Sequence, residues 1–244
     1  MKTHSRSLTT IFILLLSLVF NSFIFAQSID EVRQRITMKV KEKVKKEGGF
    51  KRINKVRVLD IDTLIVRINY NTIQEAIGSG NYDKVDKWIK NNKTNFSLQD
   101  SVAGEAVTIL LVQFGVALNT NRVLALLKKL GLQEALIDHL LAIGEQYPEL
   151  QKEDSDISFV ALGSKDRKGY HVPILSTRVD ESEVKKIEDD LSGKIIDGEL
   201  EMDDIDDEEV KEIIKEKAFK RELMLGTIDG NWSPLAFFIA YESE

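Results

Sequence analysis

The 244-residue chain contains no cysteine, and this absence restricts its folding more than any residue that is present. Disulfides, thiol nucleophiles and thiolate metal sites are all closed to it. Packing and hydrogen bonds must hold it together. The restriction matters because the N-terminus reads as an export signal, and exported proteins are where disulfides are otherwise common. Lys2 and Arg6 give a positive start, Ile11 to Phe20 is an almost unbroken apolar run, and Ala26 is a small residue followed by Gln27. A cationic head, a short apolar stretch and a small exit residue describe a cleaved secretory signal. A spanning helix needs about 20 apolar residues, and polar residues interrupt this run at both ends. The expected mature protein starts near Gln27 and works outside the cytoplasm, in the periplasm or fully secreted. With no cysteine at the cleavage site it is not a lipoprotein.

Hydrophobic residues make up 43% of the sequence and charged residues 30%, a globular composition rather than a disordered one. Charge is unevenly placed. Residues 27–93 hold 16 Lys and Arg against 9 Asp and Glu, whereas residues 151–244 hold 13 against 25. Such asymmetry suits either anionic partners for the first part and cations for the last, or attraction between the two parts.

Hydrophobic periodicity divides the mature chain. In 28–47, Ile29, Val32, Ile36, Val40 and Val44 recur at helical spacing, opposite a face rich in Lys and Arg. A basic amphipathic helix of this kind can touch an anionic membrane surface or pack its aliphatic stripe on the fold. Residues 55–70 alternate apolar and polar, which predicts a strand pair or one long bent strand. A hairpin turn at Asp60–Thr63 accounts for Asp60 and Asp62 without a metal. The stretch Ile73–Asn92, IQEAIGSGNYDKVDKWIKNN, resembles the helix–turn–helix core of an ankyrin repeat. The likeness covers about 20 residues and lacks that family's Thr-Pro-Leu-His turn and a second copy about 33 residues on. It implies a local helical hairpin and no function.

Residues 100–147 are the most apolar part of the mature chain, and within them Val102 to Leu118 reads as a buried central helix. Helices over Arg122–Leu130 and Leu132–Ile143 follow, stopped by Gly131 and Gly144. Beyond Pro148, residues 151–156 are polar. The rest reads as strands 157–163 and 170–178, helix 180–191, a strand at 195–201, helix 206–219, and strands 222–228 and 234–241. The expected fold class is α+β: an N-terminal helix and β-hairpin, a central helical bundle, and a C-terminal antiparallel sheet of hairpins with helices. The expected boundaries are a signal at 1–26, a mainly helical lobe with one hairpin at 27–150, and an α+β lobe at 151–244.

Two stretches of the last lobe look alike. Leu162–Leu175, LGSKDRKGYHVPIL, and Leu225–Ala236, LGTIDGNWSPLA, share Leu-Gly, a hydroxyl residue, Asp, Gly, an aromatic and Pro before an aliphatic residue. They read as two similar hairpins, related by duplication or by shared turn rules. Asp166, Gly169, Tyr170 and Pro173 correspond to Asp229, Gly230, Trp232 and Pro234. Tyr170 and Trp232 either pack inward, as large aromatics beside turns often do, or face outward at one end of the sheet; facing outward they form an aromatic patch with His171, Asp166, Asp229 and Asn231, and these six residues are the candidate binding site.

Catalytic motifs fail their own tests. His139 and His171 are the mature histidines, and neither belongs to a His-Glu-x-x-His or His-x-x-x-His pattern, so zinc is not expected. No Gly-x-Ser-x-Gly elbow occurs. GSKDRKG lacks the Lys-Ser/Thr of a phosphate loop. The acidic run Ile196–Glu209 fits no EF-hand register and suits the negatively charged start of a helix. No catalytic residue, metal or cofactor is expected. The expected role is an exported, non-enzymatic binding protein whose partner is a protein or envelope component, not nucleic acid. The alternatives are an exported hydrolase with an acidic pair invisible in sequence, and a structural envelope protein docking through residues 28–47.

Overall fold

The computed structural model describes residues 58, 60–91, 96, 98, 104, 106–152, 155–196 and 207–242. The signal at 1–26, the basic helix expected over 28–47 and residues 197–206 of the acidic run lie outside these residues. The chain runs β1 (Asp60–Arg67), α1 (Ile73–Gly80), β2 (Lys84–Val85), α2 (Lys87–Lys90), β3 (Ala106–Gln113), β4 (Leu118–Asn119), α3 (Thr120–Leu130), β5 (Leu132–Glu134), α4 (Ile137–Gln146), α5 (Pro148–Lys152), β6 (Ser158–Val160), β7 (His171–Val179), α6 (Glu181–Ile196), α7 (Asp207–Ala218), β8 (Phe219–Thr227), β9 (Asn231–Trp232) and β10 (Ala236–Glu242). It is an α+β protein built on one mixed sheet. The strand order is β1-β3-β10-β6-β7-β8-β2, with β5 also on β10, while β4 and β9 form a separate two-stranded ribbon.

Both faces of the sheet are covered. On one, Leu110 and Val112 of β3, Val160 of β6, Val172 of β7 and Phe238 of β10 pack with Val123, Leu126, Leu127 and Leu130 of α3. On the other, Ile109, Leu111, Phe159, Leu175, Leu223 and Ile239 pack with Ile73 and Ala76 of α1 and with Ile137, Leu140, Leu141 and Ile143 of α4. Successive side chains of a strand point to opposite faces. A strand buried on both sides therefore needs an unbroken apolar run, not an alternating one.

That requirement overturns the central helix expected over 102–118. Its core is β3, paired with β1 and β10, and the expected helical bundle is replaced by single helices on opposite faces of a sheet. The expected turn at Asp60–Thr63 is strand as well, since Asp60 pairs with Gln113 and Thr63 with Leu110. The outer edge of β1 is capped by side chains: Gln146 bonds both backbone groups of Arg67, and the Tyr147 hydroxyl donates to Ile65 O. Side-chain caps of this kind blunt an edge against stray pairing. The helix expected over 132–143 divides into β5 and α4. The ankyrin-like hairpin is also replaced. α1 is a true helix with a Thr72–Glu75 capping box and a left-handed Asn81 at its end, which fits the rules for helix termini. Lys84-Val85 then joins the sheet beside β8, leaving α2 only four residues. Residues 195 and 196, expected in a strand, end α6.

Arg221 of β8 ties these parts together from a buried position. Its guanidinium donates to Gly80 O, Gly144 O and Gln151 Oε1 and lies 5.1 Å from the centre of the Tyr82 ring. A Cβ on Gly80 or Gly144 would run into that ring, which explains glycine at both places. Among the described residues no helix is long and apolar enough to cross a membrane.

The two look-alike stretches fold differently. Residues 161–170 link β6 to β7, which are antiparallel neighbours, so the first is a hairpin with a long loop. The second is not a hairpin. β8 is antiparallel to β7, β7 to β6, and β6 is parallel to β10. β8 and β10 therefore run the same way with two strands between them, and residues 228–235 must cross the sheet. On the way, β9 pairs with β4, Leu118 opposite Trp232 and Asn119 opposite Asn231.

Candidate functional site

The crossing brings three distant segments to one end of the sheet. The first is the loop 161–170, which is bolted down along its length. Ala161 N donates to Pro173 O at 3.2 Å and Gly163 N to Ala135 O at 3.0 Å. Ser164 Oγ accepts from Ile137 N at 2.8 Å, at the first turn of α4. That bond ties Ser164, which is buried, to the start of α4.

Asp166 closes the loop. Its Oδ1 accepts from Tyr170 N at 2.8 Å and His171 N at 3.1 Å, and its Oδ2 meets His171 Nδ1 at 2.9 Å. Gly169 N returns to Asp166 O at 2.8 Å, with Gly169 at a φ of 74°, a left-handed geometry glycine takes freely. Burial alone would raise the Asp166 pKa. The hydrogen bonds from His171 and Tyr170 outweigh it and hold the carboxyl below its ordinary range. An ionised carboxylate only accepts, so Nδ1 of His171 donates to Asp166 and the ring is held in one orientation. The ring of Trp88 meets it edge-on, with centroids 6.3 Å apart.

The second and third segments are the start of α3 and the crossing itself. Ile228 N donates to Tyr170 O at 2.9 Å. Ile228 O accepts from Thr120 Oγ1 at 2.6 Å, and Thr120 Oγ1 accepts from Trp232 Nε1 at 3.0 Å. This chain of bonds fixes loop, crossing and helix against one another. Between them lies a recess of about 330 Å³, walled by Asn119, Thr120, Asn121 and Leu124 on one side and by Lys165, Gly169, Ile228 and Asp229 on the other. A larger hollow of about 520 Å³ lies between α5 and α7. Its walls are mainly long Glu and Lys side chains, which already pair locally, as Lys215 does with Glu212.

The six residues expected to form a site thus lie at the same end but do different things. Asp166 is buried and spent on the loop. His171 is partly exposed and held by Asp166. Tyr170 is exposed, 54% of its surface open, beside Gly169 of the recess. Asp229 is on the recess wall. Asn231 is exposed in β9, opposite Asn119. Trp232 corrects the outward aromatic pair: it is 8% exposed, edge-on to Phe238 at 6.2 Å, and offers its N–H inward. Sequence reasoning missed Asn119, Thr120, Asn121, Lys165 and Trp88. A faint signal was present, since Asn-Thr-Asn ahead of a Val-x-x-Leu-Leu helix is cap chemistry, and Asn119 Oδ1 does cap Arg122 N at 2.9 Å. His139 is buried in α4 and stacks on Tyr241 at 5.4 Å.

The chain matches no protein-family model, no curated protein and no solved structure.

Proposed function

We propose that this chain is an exported binding protein and that it engages its ligand at the recess between α3, the loop 161–170 and the crossing 228–235. One observation carries the reading. Three segments far apart in sequence are locked together by hydrogen bonds around a polar hollow, with Tyr170 exposed at its side. Rigid support lowers the entropy lost on binding, and an exposed aromatic side chain on a fixed backbone makes a good anchor. The volume is near the low end of the range of about 300–1,000 Å³ usual for small-molecule sites.

A thermal-shift and NMR screen of small polar compounds tests this directly. Ligands should move the amide signals of Gly169, Ile228 and Asp229, and Tyr170→Ala should weaken them without lowering the melting temperature. Ligands that leave those amides unmoved and bind elsewhere would overturn the assignment. Export is tested separately by sequencing the N-terminus of the protein recovered from its native host. It should begin at Gln27 or within a few residues of it, and a chain retaining residues 2–20 would remove the exported half of the proposal.

A further inference from the structure

We infer that the recess is built for a zwitterion, an amino acid or dipeptide that sets its carboxylate on Lys165 and its ammonium on Asp229. This rests on the binding role proposed above and names the ligand class. Lys165 and Asp229 both border the same hollow and both are exposed. Among the described residues neither makes an ion pair or a side-chain hydrogen bond. The acid next to Lys165 in sequence, Asp166, is turned inward and occupied by Tyr170 and His171. The opposite charges of the recess are therefore both left for something else.

Such a pair selects by repulsion as much as by attraction. A simple anion drawn to Lys165 meets Asp229, and a simple cation drawn to Asp229 meets Lys165. Only a ligand carrying both charges satisfies both side chains, and discrimination of this sort needs a disfavoured contact for each wrong ligand. The remaining wall fits the same chemistry. Asn119 has its carbonyl oxygen committed to Arg122 N, which leaves its NH₂ group to donate, and Asn121 adds a second amide. Thr120 Oγ1 spends its proton on Ile228 O and accepts from Trp232 Nε1, and so serves the frame. Leu124 and Ile228 give a short apolar strip for an aliphatic side chain. A volume of about 330 Å³ suits a free amino acid or dipeptide, not a longer peptide.

The test titrates four probes into the intact protein, followed by amide NMR and calorimetry: L-leucine, L-leucyl-L-leucine, isoamylamine and 4-methylpentanoate. Leucine or the dipeptide should bind saturably, and whichever is tighter tells the free amino acid from the dipeptide. The two singly charged probes should bind at least tenfold more weakly. Lys165→Met and Asp229→Asn alter exposed side chains and should stay folded by circular dichroism. Each should weaken the zwitterion at least tenfold, and Lys165→Met should strengthen isoamylamine by removing its repulsion. Zwitterion binding untouched by both variants would overturn the inference. A singly charged probe that moves the Gly169 and Asp229 amides as strongly as leucine would overturn the ligand class while keeping the recess as a site. No shift from any probe up to millimolar concentration, together with a failed small-molecule screen, would sink the recess itself.

Discussion

The loop 161–170 and the crossing 228–235 meet at one end of the sheet and carry the same order of residue types, but they are anchored in opposite ways. The loop is held by its aspartate. Asp166 accepts two backbone N–H bonds and grips His171, while Tyr170 is left in solvent. The crossing is held by its aromatic residue. Trp232 is buried against Phe238 and bonded to Thr120, while Asp229 makes no bond among the described residues. Even the shared Leu-Gly pair differs in purpose. A Cβ on Gly163 would lie 2.8 Å from the carbonyl oxygens of Glu134 and Ala135, whereas one on Gly226 would meet the end of the Ile174 side chain and Trp232. A residue type earns its place through the neighbours that topology supplies. An antiparallel hairpin can close on an Asp turn, but a segment crossing a sheet face needs an apolar anchor.

Trp232→Ala should give the largest effect, a loss of about 3–5 kcal/mol, read by urea denaturation. A loss under about 1 kcal/mol would mean that the crossing is not pinned by its aromatic residue. Gly163→Ala comes next, near the top of the range of about 1–3 kcal/mol for overpacking, because backbone carbonyls cannot step aside. Gly226→Ala should cost less, since the Ile174 tip can rotate, and equal costs would blur the contrast.

Asp166 supplies the third break. Asp166→Ala leaves two amides without their acceptor and should cost about 1–3 kcal/mol. Its pH signature has a definite sign. A carboxyl held low in the folded state stabilises the protein above its unfolded pKa of about 3.9, and that contribution is lost as pH falls from there through the folded value. Asp166→Asn should therefore lower stability near neutrality and flatten the acid limb below about pH 4. The smallest effect belongs to Asp229→Ala, which should stay within about 0.5 kcal/mol of the parent. A large loss there would mean that Asp229, too, is spent on the fold.

Much of the secondary structure was legible because local rules governed it. α3 with its Gly131 stop, β7, α6, α7, β8 and β10 follow periodicity and terminus chemistry. β3 was not legible. ILLV between Thr108 and Gln113 is apolar on both parities, and a strand buried on both faces looks like a buried helix until its partners are known. Lys84-Val85 failed for a related reason, since two residues of strand exist only because β8 lies alongside. The candidate site was half legible. Asp166, His171, Tyr170 and Asp229 stood out by turn chemistry, and they do share one end of the molecule. Lys165 and Asn119 did not stand out, because they meet only through contacts distant in sequence: β4 pairs with β9, and the crossing is bonded to the loop by Ile228 N and Tyr170 O.

The chain has two tryptophans, and the fold has set them at unequal depth: Trp88 is 39% exposed against His171, Trp232 only 8% exposed and wired through Thr120 to the wall of the recess. The molecule therefore carries two intrinsic fluorophores with separate addresses. A soluble quencher such as acrylamide silences the outer one and leaves the inner one glowing. With Trp88 darkened, the remaining emission comes from an indole whose N–H senses the frame of the recess, so its colour reports on that frame without a dye, a tag or a mutation.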